Sequence, residues 1–483
     1  MRSKEKKNGR AIRKRKWKAN RELYLCSSLF LILFAGLFYY LFGYVDSQAE
    51  ALFNNSYNSR QKVVAQQNIR GSIYSENGYV LAQSVQNGEQ EVREYPFKNV
   101  FAHIVGYSDK GKTGIESMEN YWLSNTAVSE IAQAQNEADN LKNPGNNVYT
   151  TLNTQIQQAA YDAIGVYQGA VVVTEIKTGR ILAMVSKPDY DPNKIAEIWE
   201  KVNNDTQSAV LLNRATQGLY PPGSTFKIVT ALAYLKEHPE DWNRYRYQCS
   251  GTYKNGDSRI QCYHGSVHNQ VDLTTSFAKS CNCSFANIGM SVDAGQFRNT
   301  IDTLLFNQQL PLEIPQQVTS VTLDADSTVD AIIQTSIGQG ETQITPLLLN
   351  MITQAIANEG VVMKPLLVDQ IKSADGRVLE ENRPQVYRRL MSKEEARILT
   401  GLMTAVVETG TAKKLNGQNY TAAGKTGSAE FNQVKEDSHA WFTGFAPAED
   451  PQIAVTVIVE RIGSGGDYAV PLARKIFDAW FEK

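Results

Sequence analysis

Residues 220–227 read Tyr220-Pro221-Pro222-Gly223-Ser224-Thr225-Phe226-Lys227, and the apolar run IVTALAYL follows directly at 228–235. Two prolines and a glycine close a loop, and the run after them has helical character. The pattern predicts Ser224 at a helix N-terminus, with Lys227 three residues on and on the same face. A serine hydroxyl is a poor nucleophile until a base takes its proton. A lysine can be that base when burial and a neighbouring cation lower its pKa. Ser-x-x-Lys alone is weak evidence. It recurs at Ser3/Lys6 and Ser276/Lys279, and average composition predicts about two chance matches in a chain of this length. The turn-to-helix setting singles out Ser224.

Two further elements follow in order. Ser280-Cys281-Asn282 lies 56 residues on and puts a hydroxyl and a carboxamide two positions apart, where both can enter one cleft. Ser56-Tyr57-Asn58 and Ser75-Glu76-Asn77 share the pattern, but they fall in a stalk-like stretch and a turn. Lys425-Thr426-Gly427 comes 145 residues after Ser280, inside AAGKTGSAE. Its lysine and threonine can bind a carboxylate, and its glycine allows close backbone approach. Lys177-Thr178-Gly179 and Lys112-Thr113-Gly114 repeat the tripeptide in a turn and a Gly-rich loop. Only the 425–427 copy opens a run of strands and completes the ordered triple.

Outward from these motifs, the chain alternates strand and helix signals. QNIRGSIYSENGYVLAQS reads as a hairpin around Glu76-Asn77-Gly78. Residues 124–146 are polar and end in Asn143-Pro144-Gly145-Asn146, which predicts a linker. NVYTTLNTQIQQAAYDAIGVY reads as a strand entering an amphipathic helix. GAVVVTEIKTGRILAMVS predicts two β-branched strands around a turn. TAAGKTGSAE, HAWFTGFAP and PQIAVTVIVE predict three more strands, and AVPLARKIFDAWFEK a closing helix. This order suggests one antiparallel sheet covered by helices, an α/β or α+β sandwich.

The 483 residues, 42% apolar and 20% charged, suit two or three packed domains rather than disorder. Residues 1–22 carry eleven Lys or Arg against two Glu, so the basic charge is confined to one end and nucleic-acid binding by the main body is not expected. Leu23 to Val45 has no charged residue and is long enough to cross a bilayer. The preceding cations predict a cytoplasmic N-terminus. A cleaved signal is the alternative, because Ser47-Gln48-Ala49 resembles a cleavage site. Cys249 and Cys262 flank CSGTYKNGDSRIQC and can close a hairpin as a disulfide or stay free. Cys281 and Cys283 are too close to bridge and read as small buried residues. No cysteine spacing reads as a zinc site, and neither a metal nor a cofactor is expected.

Ser-x-x-Lys, Ser-x-Asn and Lys-Thr-Gly in this order resemble the signature set of penicillin-binding proteins and serine β-lactamases. RGSIYSENGYVLA, AHIVGYS…GIESMENYWL, NRATQGLYPPGSTFKIVTAL, SIGQGETQITPL and HAWFTGFAP extend the resemblance to class B penicillin-binding proteins over most of residues 65–483. No segment resembling the class A glycosyltransferase domain is found. The resemblance implies the penicillin-binding transpeptidase fold, which is similar to that of serine β-lactamases. Its domains would be a cytoplasmic tail (1–22), a transmembrane anchor (23–45), a stalk and small α+β pedestal (46–146), and a transpeptidase domain (147–483).

The implied reaction is D,D-transpeptidation of peptidoglycan stem peptides, covalently inhibited by β-lactams. Ser224 would attack the carbonyl between two D-alanines and Lys227 would accept its proton. Ser280 would pass a proton to the leaving D-alanine, and Asn282 would hold the acyl-peptide amide. Lys425, Thr426 and Gly427 would receive the terminal carboxylate, with Lys425 helping to keep Lys227 neutral. The backbone N–H groups of Ser224 and Ser428 would form the oxyanion hole. Implied partners are a glycosyltransferase, other cell-wall synthesis proteins, and the membrane through one helix. A D,D-carboxypeptidase, a β-lactamase-type hydrolase and an inactive cell-wall scaffold remain as alternatives. Against a class A lactamase, no Glu-x-x-Leu-Asn segment occurs.

Overall fold

The computed structural model describes residues 2–55, 58–88, 90–205, 207–430 and 438–482, so the first two positions of Ser56-Tyr57-Asn58 lie outside the described residues. Contacts divide the chain into two units, Met1–Val64 and Ala65–Lys483.

The first unit is dominated by one helix, Arg2–Asn54, which continues well past the expected end of the apolar span. A helix whose side chains are bare, such as Leu31 at 71% and Phe38 at 77% exposure, is apolar where a water-soluble helix is polar. Among the described residues it is the one helix long and apolar enough to cross a membrane.

The second unit is built on a five-stranded antiparallel sheet in the order Ala423–Glu430, Ser438–Ala446, Ile453–Val459, Gly169–Glu175, Ile181–Lys187. The predicted strands and their turn at 177–179 all appear. Ser438–Ala446 and Ile453–Val459 are buried along their whole length, so both faces of the sheet are covered and their sequences are mostly apolar without alternating. Helices Thr154–Ile164 and Ala469–Phe481 pack on each other and on the sheet. Helix Pro346–Ala357 is buried at every position and is tied to the sheet by polar side chains. Asn350 Oδ1 accepts from Thr174 Oγ1 at 2.7 Å, and the Thr353 and Thr443 hydroxyls meet at 2.6 Å. Lys425 lies on the edge strand of this sheet, which leaves that strand's outer side to the cleft.

A second, six-stranded sheet runs Val378–Glu381, Val368–Lys372, Asn147–Thr150, Ile73–Tyr74, Val80–Asn87, Gln90–Glu94. The predicted hairpin supplies Ile73–Tyr74 and Val80–Asn87. Asn147–Thr150 pairs in parallel with that hairpin and antiparallel with Val368–Lys372. The polar stretch 124–146 is not simply a linker. It holds helix Glu130–Ala138, started by Ser129, whose hydroxyl accepts from the Ala132 N–H. With Ile131 its one large apolar residue, this helix gives no apolar periodicity, and the cap marks it.

The N-terminal part of this unit is held by a buried carboxylate between two arginines. Glu116 has no exposed side-chain surface, and its oxygens accept from Arg70 Nε and Arg93 Nε, each at 2.7 Å. Tyr95 OH lies 3.2 Å from the same carboxylate. Burial alone would raise the Glu116 pKa, but the Arg70 and Arg93 charges outweigh it and hold the carboxyl at about 2. Its stabilisation is therefore present above the unfolded value of 4.5 and is lost as pH falls toward 2. Glu116→Gln leaves two guanidinium groups facing an amide and is expected to cost about 3 kcal/mol at neutral pH. Denaturant titration checks this, and the gap between parent and variant should narrow as the pH drops below the unfolded value.

Candidate active site

The loop before Ser224 is fixed from three sides. Tyr220 and Ile344 exchange backbone hydrogen bonds, and Gly223 N–H donates to Gly338 O at 2.9 Å. Trp441 Nε1 donates to Pro221 O at 3.1 Å. Gly223 has φ +54°, and a Cβ there would come 2.8 Å from Ser428 O, so both conformation and space require glycine. The chain then makes a 3-10 turn, Gly223–Phe226, that continues into helix Lys227–Glu237. Ser224 thus sits at the helix start, and Lys227 is the first residue of the α-helix proper, as the motif predicts.

The three motifs converge. Lys227 Nζ lies 3.0 Å from Ser224 Oγ, 3.2 Å from Ser280 Oγ, 2.8 Å from Ser280 O and 2.7 Å from Asn282 Oδ1. Lys425 Nζ donates to Ser280 Oγ at 3.0 Å and to Thr426 O at 2.9 Å. Ser280 has φ +56°, a left-handed conformation that costs an L-residue about 1–2 kcal/mol. Ser280 presents both its hydroxyl and its carbonyl to one amine. Asn282 opens helix Asn282–Ser291, and its Nδ2 donates to Gln261 O at 2.9 Å.

Thr426 shares a hydroxyl hydrogen bond with Thr411. A Cβ on Gly427 would lie 2.9 Å from Pro222 O and 3.0 Å from Thr225 Cγ2, so glycine lets the strand close on the Ser224 turn. Ser428 turns its carbonyl to the same turn, and its hydroxyl accepts from Gly465 N–H at 3.3 Å.

Both lysines are fully buried. Burial lowers the Lys227 pKa to about 8. Lys425 is pushed well below its ordinary value, first by burial and then by the charge of Lys227. Phe285 lies under Lys227 and Phe277 under Lys425, with ring centroids 5.5 and 5.6 Å from the amines. The decoy motifs do not join the hydrogen-bonded cluster, although Lys279 reaches the cleft wall. Ser276 is bonded to Ser284 Oγ, Lys279 is exposed, and Lys177 lies in the hairpin turn.

The cleft over Ser224 holds about 1050 Å³. Arg259, Lys279, Lys413 and Lys414 line it, and among its described lining residues Asp467 is the one carboxylate. Sequence reasoning missed the support beneath the loop. Glu460 Oε1 accepts from Tyr220 OH and from Arg214 Nε, each at 2.7 Å. These residues are some 240 positions apart, and no local pattern joins them. The Cys249–Cys262 disulfide is not formed. Their sulfurs are 3.7 Å apart and all described cysteines are free. Cys281 and Cys283 are buried, as expected, but they join the same cluster.

Residues 169–478 match the family described as penicillin binding protein transpeptidase domain, and residues 70–148 match the penicillin binding protein A dimerisation domain. The peptidoglycan D,D-transpeptidase PbpA of Mycolicibacterium smegmatis is 34% identical over 84% of this chain and 87% of its own length. PbpA of Mycobacterium tuberculosis is 32% identical over 85% and 88%. The ceftriaxone acyl-enzyme of penicillin-binding protein A from M. tuberculosis superposes with a TM-score of 0.79 at 30% identity, covering 86% of this chain and 100% of that one. The D,D-transpeptidase domain of a peptidoglycan glycosyltransferase from Eggerthella lenta superposes with a TM-score of 0.77 at 30% identity, covering 86% and 99%.

A buried amine destabilises the fold wherever the unfolded chain would carry the proton and the folded chain does not. Lys425→Met is therefore expected to raise stability by about 2 kcal/mol at pH 7. The gain should fade as pH rises past the unfolded lysine value of 10.5. Thermal melts of both proteins across pH check the sign.

Proposed function

The chain belongs to the penicillin-binding protein transpeptidases, and on that footing we propose that Ser224 is the residue acylated in its D,D-transpeptidase reaction. The observation that carries this reading is the hydrogen-bonded line from Ser224 Oγ to Lys227 Nζ, Ser280 Oγ and Lys425 Nζ, with successive separations of 3.0, 3.2 and 3.0 Å.

A stem peptide enters with its terminal carboxylate toward Lys425 and Thr426. That negative charge raises the proton affinity of Lys425 and, through the repulsion between the two amines, favours the neutral amine on Lys227. Lys227 then takes the proton of Ser224 as Oγ attacks the penultimate D-Ala carbonyl. The developing oxyanion is met by the N–H groups of Ser224 and Ser428. A carbonyl and an N–H of one strand residue point to the same side, so the inward Ser428 carbonyl argues for an inward N–H. The bond to the terminal D-Ala breaks, and its nitrogen receives a proton through Ser280. An acceptor amine attacks the ester, forms the new amide, and returns the proton to Ser224. Asn282 holds the acyl-peptide amide, and Gly427 leaves room for the substrate backbone.

The basic cleft suits a peptide bearing carboxylates. Asp467, the described carboxylate of the cleft, is engaged by Lys414 at 2.9 Å and is held below its ordinary pKa, first by that bond. It is a poor base for water. The basic residues ahead of the apolar helix favour a cytoplasmic N-terminus and an extracytoplasmic cleft. On this reading residues 46–146 are stalk and pedestal, residues 147–483 do the chemistry, and a glycosyltransferase supplies the strands to be joined.

Fluorescent penicillin tests the assignment on full-length protein in detergent. The parent should form a stable covalent adduct, at a rate that climbs as pH rises through about 8, where Lys227 loses its proton. Ser224→Ala should show no adduct at any pH, and Ser280→Ala should label about a hundredfold more slowly. An adduct on Ser224→Ala would remove Ser224 from the role.

A further inference from the structure

Four cysteines and a histidine meet directly behind the Ser280–Asn282 segment. Cys249 ends strand Tyr247–Cys249, and Cys262 follows strand Ser258–Gln261. Cys281 caps helix Asn282–Ser291, and Cys283 lies in its first turn. The Cys262 sulfur is 3.7 Å from Cys249, 3.7 Å from Cys281 and 3.4 Å from Cys283. His268 Nδ1 points at Cys249 Sγ from 3.5 Å. The ligand atoms of Cys249, Cys262, His268 and Cys281 all lie within 4.8 Å of one another.

These separations are far beyond the roughly 2.05 Å of a disulfide. The Cys249–Cys262 and Cys262–Cys281 separations match the edge of a tetrahedron around a zinc ion, about 3.8 Å for bonds of about 2.3 Å. The cysteines are also the whole buried core of this corner, with only the partly buried Tyr247 and Tyr253 packed on them. The strands here form two-stranded sheets of three or four residues each. Strands so short need a staple that apolar burial of this size does not supply. A purely apolar pocket would also have no use for a histidine nitrogen aimed into it.

We propose that Cys249, Cys262, Cys281 and His268 form a structural site for Zn²⁺. Three thiolates and one imidazole in a closed tetrahedral set favour zinc over harder divalent cations. Binding releases the thiol protons and leaves no open coordination position, so the ion takes no part in acyl transfer. Its effect is positional. Cys281 lies between Ser280 and Asn282, and Cys262 follows Gln261, whose carbonyl accepts from Asn282 Nδ2. Fixing two sulfurs fixes the hydroxyl and the carboxamide that meet Lys227.

The test is the metal content of full-length protein purified in detergent without added metal or chelator, then stripped and reloaded with Co²⁺ under reducing conditions. About one zinc per chain is expected, and the cobalt form should show thiolate-to-metal absorption with tetrahedral d–d bands. His268→Ala, at a half-exposed position that should fold, should weaken zinc retention at least tenfold. Cys283→Ser should retain the metal. Acylation of the stripped parent by fluorescent penicillin should slow about tenfold and recover on adding Zn²⁺. The proposal is overturned by a protein that holds no zinc as purified and gives no tetrahedral cobalt spectrum. It is also overturned by an intact mass two hydrogens light, which would make the cluster a redox pair. Loss of metal from Cys283→Ser but not His268→Ala would overturn the ligand set. None of these readings depends on which serine is acylated.

Discussion

Lys227 and Lys425 bring two amines to one serine hydroxyl, 3.2 and 3.0 Å from Ser280 Oγ, with no carboxylate among their hydrogen-bond partners. Two ammonium ions in that space repel each other and have both lost their water, so the site carries fewer protons than it has amines. Everything nearby either sustains this condition or exploits it. The carbonyl of Ser280 and the amide oxygen of Asn282 keep Lys227 the better solvated of the pair, while Lys425 has only a hydroxyl and one backbone carbonyl. The left-handed backbone of Ser280 is what lets one residue give both its carbonyl and its hydroxyl to Lys227. The proton therefore favours Lys227, opposite to the order the family resemblance implies. On the reading proposed above, an arriving carboxylate reverses that order, which couples base activation to substrate binding.

Much of this was legible in the chain. The sheet strands were readable because β-branched runs between turn residues have few other uses, and the hairpins at 76–78 and 177–179 carried their own turn chemistry. The three motifs were readable because their roles require particular side chains at local spacing. The legible part ends where interactions span long separations. Glu460 beneath Tyr220, and Glu116 between Arg70 and Arg93, are ordinary charged residues until folding places them. The cysteines are scattered for the same reason. No local spacing joins them, and their sulfurs come from two strands and a helix cap.

The polar segment 124–146 shows the opposite limit. Its Asn-Pro-Gly-Asn ending forms no turn, because Asn143–Pro144 pairs in parallel with Asn68–Ile69, and the capped helix before it follows from Ser129 and tertiary context rather than from periodicity. The Gly427 and Gly223 contacts show how little room was left elsewhere. A single methyl at either position meets backbone atoms within 3 Å. The Ser224 turn and the Lys425 strand are thereby held as one surface.

Asn147–Thr150 lies between Ile73–Tyr74 and Val368–Lys372 and is hydrogen-bonded to both. Segments more than two hundred residues apart are thus neighbours in one sheet, joined by backbone pairing as well as by peptide linkage. A proteolytic nick within 125–142 would leave those ladders intact and the fragments associated. Insertions there can accumulate in the same way, lengthening the chain without altering the distance from the Arg70–Glu116 network to the cleft over Ser224.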